Sequence, residues 1–133
     1  MIKLYINDTA SITQAILNSA KYAEETGFDI HSVGKIKTVV SELAYNIIKY
    51  AKNGTITLRR VKKFQNKGIE ISSDDRGPGI ADISKALKDR FSTGKTLGLG
   101  LPGIKRMSDE FEITSQVGKG TKVISRIWLS AKD

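Results

Sequence analysis

Glu42 and Asn46, four residues apart, are the first pair in this 133-residue sequence whose types and spacing suggest chemistry. The apolar residues around them, Ile36, Val39, Val40, Leu43 and Ile47, recur at helical spacing, so the two side chains stack on one helix face. At roughly 100° per residue, Asn46 lies about 60° from Leu43 and Glu42 about 100° away. Both fall at the edge of the apolar stripe, where core meets solvent and a cleft can open. An amide oxygen beside a carboxylate suits a hard cation such as Mg²⁺, with the carboxylate left for general-base work. The same pair also fits a solvated helix edge with no chemistry. A second group, Asp74-Asp75-Arg76-Gly77-Pro78-Gly79, follows a β-patterned run. A carboxylate at a strand end, beside glycines that expose backbone N–H groups, can hydrogen-bond an amino group while the chain passes close to a ligand. The competing reading is an ordinary Pro-Gly turn with acidic residues that favour turns.

A third group runs from Gly94 through Gly98, Gly100 and Gly103 into a helical stretch. Glycines approaching a helix N-terminus form a ready anion site. The G-x-G-x-x-G spacing of Gly98, Gly100 and Gly103 is not a dinucleotide fingerprint here, because Phe91 to Leu97 reads as loop where a strand is required. Gly94-Lys95-Thr96 lacks the upstream glycine of a Walker A loop. The alternative is a flexible surface loop.

The elements that must position these groups follow from the pattern. Ile2, Leu4 and Ile6 alternate with polar residues and predict a first strand. Helices are expected over Thr9 to Thr26, stopped by Gly27, and over Ile30 to Lys52, ended by Asn53-Gly54. A hairpin is expected from Thr55 to Phe64 and Gly68 to Ser73, joined through Gln65-Asn66-Lys67-Gly68. Beyond the glycines come short helices at Ile83 to Leu87 and Leu99 to Glu110, then strands at Phe111 to Gln116 and Thr121 to Leu129. This order predicts a single domain over residues 1–133: an α/β two-layer sandwich of helices on a mixed, mostly antiparallel sheet.

Composition narrows the function. There is no cysteine, so disulfides, thiolate nucleophiles and Cys-ligated metals are excluded. The single histidine, His31, removes a multi-His zinc site, and its place at a helix start favours a capping or surface role over phosphoacceptance. The net charge of +8 favours acidic partners. Lys and Arg are nevertheless spread along the chain. Strand alternation divides the short run Arg59-Arg60-x-Lys62-Lys63 between two faces, which argues against nucleic acid. No apolar run has the length of a membrane span and the start lacks a signal-peptide core, so no membrane association and a cytoplasmic location are expected.

Taken in order, Glu42-x-x-x-Asn46 on a helix, Asp75-x-Gly77-x-Gly79 after a strand and Gly98-x-Gly100 entering a helix resemble the N, G1 and G2 boxes of the GHKL ATPases. That superfamily includes gyrase, histidine kinases and MutL and uses the Bergerat ATP-binding fold. The small size resembles the bacterial serine kinases that act as anti-sigma factors or switch kinases. Ser41-Glu42-Leu43-Ala44-x-Asn46, Phe91-Ser92-Thr93 and Gly100-Leu101-Pro102-Gly103-Ile104-Lys105-Arg106-Met107 look most like the RsbT-type switch kinases. The resemblance implies that Asn46 coordinates the Mg²⁺ bridging ATP phosphates and that Glu42 is the catalytic base. It implies that Asp75 holds the adenine amino group above the turn of Gly77 and Gly79. Gly98, Gly100 and Gly103 would donate N–H groups to phosphate, with Lys95 a candidate phosphate contact in a short lid from Phe91 to Leu97. Thr121, after Gly118-x-Gly120, matches a threonine near the adenine.

The implied activity is phosphorylation, from Mg-ATP, of a STAS-domain antagonist protein in a bacterial partner-switching pathway. A PP2C-type phosphatase or a sigma factor is the implied second partner, and dimers in the anti-sigma branch leave a homodimer open. The alternative is a nucleotide-gated module that sequesters a sigma factor or other regulator without significant turnover.

Overall fold

Asp8 and Gly27 bracket the first helix through local hydrogen bonds. The computed structural model describes residues 1–87 and 100–129. After strand β1 (Ile2–Ile6), helix α1 spans Thr9–Thr26. The Asp8 side chain accepts the Ser11 N–H at 2.7 Å, and the Ser11 hydroxyl accepts the Asp8 N–H at 3.2 Å. This reciprocal box satisfies two N–H groups that the first turn would otherwise leave open. At the other end Gly27 adopts φ 110°, and the N–H groups of Gly27 and Phe28 reach back to the carbonyls of Glu24 and Ala23.

Helix α2 (Ile30–Tyr50) begins at Asp29, whose carboxylate accepts the Ser32 N–H at 2.8 Å. It ends earlier than the expected Lys52, because Ala51 caps it and Lys52 turns left-handed at φ 74°. Ile36, Val39, Val40, Leu43 and Ile47 are buried, with Glu42 among them at 1% exposure.

Strands β2 (Gly54–Lys63) and β3 (Asn66–Asp75) pair from Gly54↔Asp75 to Lys63↔Asn66. The hairpin turn is therefore Phe64-Gln65, with Phe64 at φ 56°, and not the expected Gln65-Asn66-Lys67-Gly68. Gly68 is a strand residue kept small by packing: a Cβ there would lie 2.5 Å from the Ile127 carbonyl and 2.7 Å from the Trp128 ring. The remaining elements are α3 (Ile83–Ala86), α4 (Gly100–Met107), β4 (Glu110–Gln116) and β5 (Gly120–Trp128). Helix α4 stops before the expected Glu110. The Ser108 hydroxyl bonds back to the Ile104 carbonyl at 2.6 Å, and the Asp109 N–H has already joined Arg126.

The five strands run in the order β1-β2-β3-β5-β4. Every pairing is antiparallel, so the expected two-layer sandwich on a mostly antiparallel sheet is present, with no parallel pair among the described strands. Strand alternation sends Ile6, Ile56, Leu58, Ile69, Ile71 and Ile127 inward, where they are fully buried with Ile36, Leu43 and Ile47. Burying each contributes roughly 1.5–3 kcal/mol. Helices α1, α2 and α4 cover this face, with α1 on β1, α2 on β1 to β3, and α4 on β5. Arg59 and Arg60 point to opposite faces as alternation requires. Arg59 meets Glu70, whereas the Arg60 guanidinium lies 4.5 Å from the Tyr22 ring and donates to Thr26. Among the described residues, no helix is long and apolar enough to cross a membrane.

Candidate active site

A cleft of about 360 Å³ opens where the ends of β3 and β5 meet α2. Ser73 and Asp75 of β3 and Thr121 and Val123 of β5 line it from the sheet. Leu43, Asn46, Ile47 and Tyr50 line it from α2. The segment from Pro78 to Asp82, Lys85 of α3, and Gly100 and Leu101 of α4 complete it. Aliphatic walls with a few convergent polar groups are the usual build of a small-molecule site.

Asp75 terminates β3. One carboxylate oxygen accepts the Gly77 N–H at 2.8 Å, which orients the group and leaves the second oxygen for a ligand. The glycines after it are demanded by close approach. A Cβ at Gly77 would come within 2.8 Å of the Ala51 Cβ, and one at Gly79 within 2.3 Å of the Gln116 carbonyl. Gly79 also sits at φ 79°. The turn is pinned from the other side by the Gly118 N–H on the Pro78 carbonyl at 2.8 Å.

Thr121 pairs across the sheet with Asp75, so both project to the helix-covered face at the mouth of the cleft. Its hydroxyl lies 2.8 Å from that of Ser115 on β4. The sequence reading missed Ser115, along with Tyr50, Ile80, Asp82 and Lys85. Strand pairing and loop return bring Ser115, Ile80, Asp82 and Lys85 to the site, whereas Tyr50 reaches it one helical turn after Asn46 on α2. For Lys85 a weak signal existed, a cation one helical turn after the Asp82 cap.

Glu42 does not line the cleft. Its carboxylate is buried and accepts the N–H of Gly100, the first residue of α4, at 3.1 Å. A carboxylate on the N-terminal N–H of a helix is favoured by the helix dipole and satisfies an open donor. Gly100, at φ 52°, takes a conformation that suits glycine and carries the start of α4 to the cleft. Gly103 is buried further along α4 and does not line the cleft. Lys95 and Gly98 lie outside the described residues.

Of the expected set, the structure therefore gathers Asn46, Asp75, Gly79, Gly100 and Thr121 around one cleft. Gly77 lies directly behind Asp75, and Glu42 one contact away through Gly100. Among the described residues no group of three or more His, Cys, Asp or Glu side chains gathers.

Comparison with known proteins agrees with this fold. Residues 6–127 match the histidine kinase-like ATPase domain, and the chain belongs to that family of ATP-binding domains. Within it the chain is RsbT-like. It is 46% identical over 107 residues to the serine/threonine-protein kinase RsbT of Bacillus subtilis, covering 80% of each chain. The anti-sigma F factor of Thermoanaerobacter sp. is more distant, at 34% over 108 residues, covering 78% of this chain and 76% of that protein. In fold the chain resembles the SiaB-SiaC complex structure from Pseudomonas aeruginosa, with a TM-score of 0.69 at 12% identity, covering 96% of this chain and 90% of the other. Full-length ShkA in complex with AMPPNP matches with a TM-score of 0.59 at 20% identity, covering 92% of this chain and 30% of ShkA.

Proposed function

We propose that this chain is a single-domain, ATP-dependent kinase that phosphorylates a serine or threonine of a STAS-domain antagonist protein in a partner-switching system. The observation that carries the reading is the convergence on one cleft of Asn46, Asp75, Thr121 and the start of α4, with the Glu42 carboxylate on the first residue of that helix. The 46% identity to a serine/threonine-protein kinase supports it.

In this reading Asp75 receives the adenine amino group and the aliphatic walls hold the base. The Gly100 end of α4 faces the phosphates, where N–H groups and the helix dipole neutralise charge. The donor chemistry fits Mg²⁺, which keeps few protein ligands and fills its shell with phosphate oxygens and water. Asn46 would hold it, and when bound it supplies charge neutralisation on the phosphates. Phosphoryl transfer depends mainly on positioning and electrostatics. The bond between the γ-phosphorus and the β-bridging oxygen breaks, a bond to the substrate hydroxyl oxygen forms, and ADP leaves. Glu42, one contact behind the cleft through Gly100, is the base assigned to the hydroxyl proton in this reading, and it must come within reach of that proton as the substrate binds.

The Gly100 contact favours one second reading, in which Glu42 is solely a helix cap and the chain is a nucleotide-gated sequestering module. Glu42→Gln separates the two, because its amide oxygen still accepts the Gly100 N–H but is no base. With labelled ATP and a purified STAS-domain substrate, the variant is expected to bind ATP normally and to lose transfer by at least about a hundredfold. Mass spectrometry should place the label on a serine or threonine. Transfer by Glu42→Gln at the wild-type rate places the base elsewhere. A wild type that binds ATP without transfer supports the sequestering module.

A further inference from the structure

We infer that Ser115 is a positioning residue that fixes the Thr121 hydroxyl as a hydrogen-bond acceptor, and through it sets the selection of a 6-amino over a 6-oxo purine. The inference rests on the nucleotide reading above and adds to it a residue that does not line the cleft.

The Ser115 hydroxyl has one proton to give and two lone pairs to accept with. Three neighbours surround it. The Ile80 N–H donates to it at 2.7 Å, the Gly120 carbonyl lies at 3.1 Å, and the Thr121 hydroxyl lies at 2.8 Å. Ile80 can only donate to it, and the Gly120 carbonyl can only accept from it. The Ser115 proton therefore goes to Gly120, and the remaining lone pair must be filled by the Thr121 proton. The reverse arrangement, with Ser115 donating to Thr121, would leave two oxygens facing at 3.1 Å with no hydrogen between them. Only the first arrangement satisfies all three neighbours.

Once Thr121 has spent its proton on Ser115, it has only lone pairs to offer the cleft. Its pairing partner Asp75 offers a carboxylate oxygen, also an acceptor. At this point of the mouth Asp75 and Thr121 both present acceptors. An exocyclic amino group satisfies such a pair, whereas a carbonyl in its place meets lone pairs with lone pairs. The same serine holds Ile80 in the segment that lines the cleft, so ring position and proton direction are set by one side chain.

The test is calorimetric binding of ATP and of inosine triphosphate, its 6-oxo counterpart, to the full chain and to Ser115→Ala, Thr121→Val and the double variant. Ser115→Ala frees the Thr121 hydroxyl to rotate and donate. The ratio of ATP to inosine triphosphate affinity is expected to fall by about tenfold. Thr121→Val should lower the ratio similarly, and the double variant should lower it no further than Thr121→Val alone, since Ser115 acts through Thr121. Loss of the Ile80 anchor weakens both nucleotides equally and leaves the ratio untouched, so the ratio isolates the proton effect from a loosened loop. Should Ser115→Ala not fold, Thr121→Val carries the test, because a ratio equal to that of wild type there overturns the acceptor role through which Ser115 acts. A wild-type chain that binds ATP, with a Ser115→Ala ratio equal to its own, overturns the role of Ser115 alone. A wild type that binds neither nucleotide overturns the nucleotide reading and this inference together.

Discussion

Strands β3 and β5 carry two polar clusters, one on the outer face of the sheet and one at the mouth of the cleft, and they use their hydrogen-bonding capacity in opposite ways. On the outer face Arg59, Glu70, Arg126 and Glu110 stand in register across four strands. Glu70 accepts from Arg59 at 2.6 Å and from Arg126 at 2.9 Å, and Arg126 also reaches Glu110 at 3.2 Å and Glu112 at 2.7 Å. At the cleft, Asp75 and Thr121 stand in the same kind of register, but each keeps capacity unspent. Glu70 is 6% exposed and carries a shifted pKa, features that by themselves would suggest a catalytic carboxylate. Its neighbours show otherwise, because both oxygens are consumed by guanidinium groups. A polar cluster is a site when its acceptors remain open toward a cavity, and a brace when they do not.

The sharpest way to break this contrast is Asp75→Asn. The Gly77 N–H requires an acceptor, so the amide oxygen takes that place and the NH₂ group points where the free carboxylate oxygen was. A donor then faces the ligand's amino donor. ATP affinity is expected to fall by about a hundredfold or more, while the urea midpoint moves little. Unchanged affinity in calorimetry removes Asp75 from the base-recognition role.

Glu70→Ala should do the reverse, lowering stability by about 2–3 kcal/mol in urea unfolding and leaving ATP affinity within about twofold. The figure is held below that of a fully buried pair because the Arg59 side chain is 56% exposed. The same residue predicts a pH effect. Burial alone would raise the Glu70 carboxyl, but hydrogen bonds from Arg59 and Arg126, together with their charges, outweigh burial and hold it below the usual glutamate range. A carboxyl depressed in the folded state stabilises the fold above its unfolded pKa, and that contribution is lost as pH falls through the folded value. Wild type should therefore lose stability on acidification below about pH 4.3 more steeply than Glu70→Gln. Equal slopes would show that the two arginines do not act on Glu70 in solution.

The two clusters also differ in how far the sequence disclosed them. Asp8, Gly27 and Asp29 are local signals, and the ends they set, Thr9, Thr26 and Ile30, are where the pattern placed them. Asn46, Asp75, Gly79 and Gly100, which line the cleft, could be picked out because three short motifs follow one another in a fixed order and spacing, and Glu42, picked out with them, lies one contact behind the cleft. The turn at Phe64-Gln65 was not, since Asn66 and Gly68 look like turn formers while Gly68 is small for the sake of Trp128 on another strand. Ser115, Lys85 and the Arg59–Glu70–Arg126 row were hidden for the same reason. Their meaning is created by which strands and loops lie side by side, and strand order is not written in local spacing.

Ser19 sharpens the comparison at its smallest scale. Its hydroxyl is fully buried and, among the described residues, is the buried side-chain oxygen that finds no hydrogen-bond partner. Two other helical hydroxyls bond back one turn, Thr26 to the Tyr22 carbonyl at 2.7 Å and Thr38 to the Gly34 carbonyl at 3.0 Å, but Ser19 does not. If open polar capacity alone made a site, Ser19 would qualify, yet it faces α1's packed side beside Ala15 and Ala23 and lines neither the cleft nor the outer face. Ser19→Ala removes an unsatisfied hydroxyl and improves helix propensity, so it should stabilise the fold by about 1 kcal/mol in urea unfolding. ATP affinity should not change. Destabilisation of similar size would mean that a buried water satisfies the hydroxyl, making Ser19 a brace like Glu70.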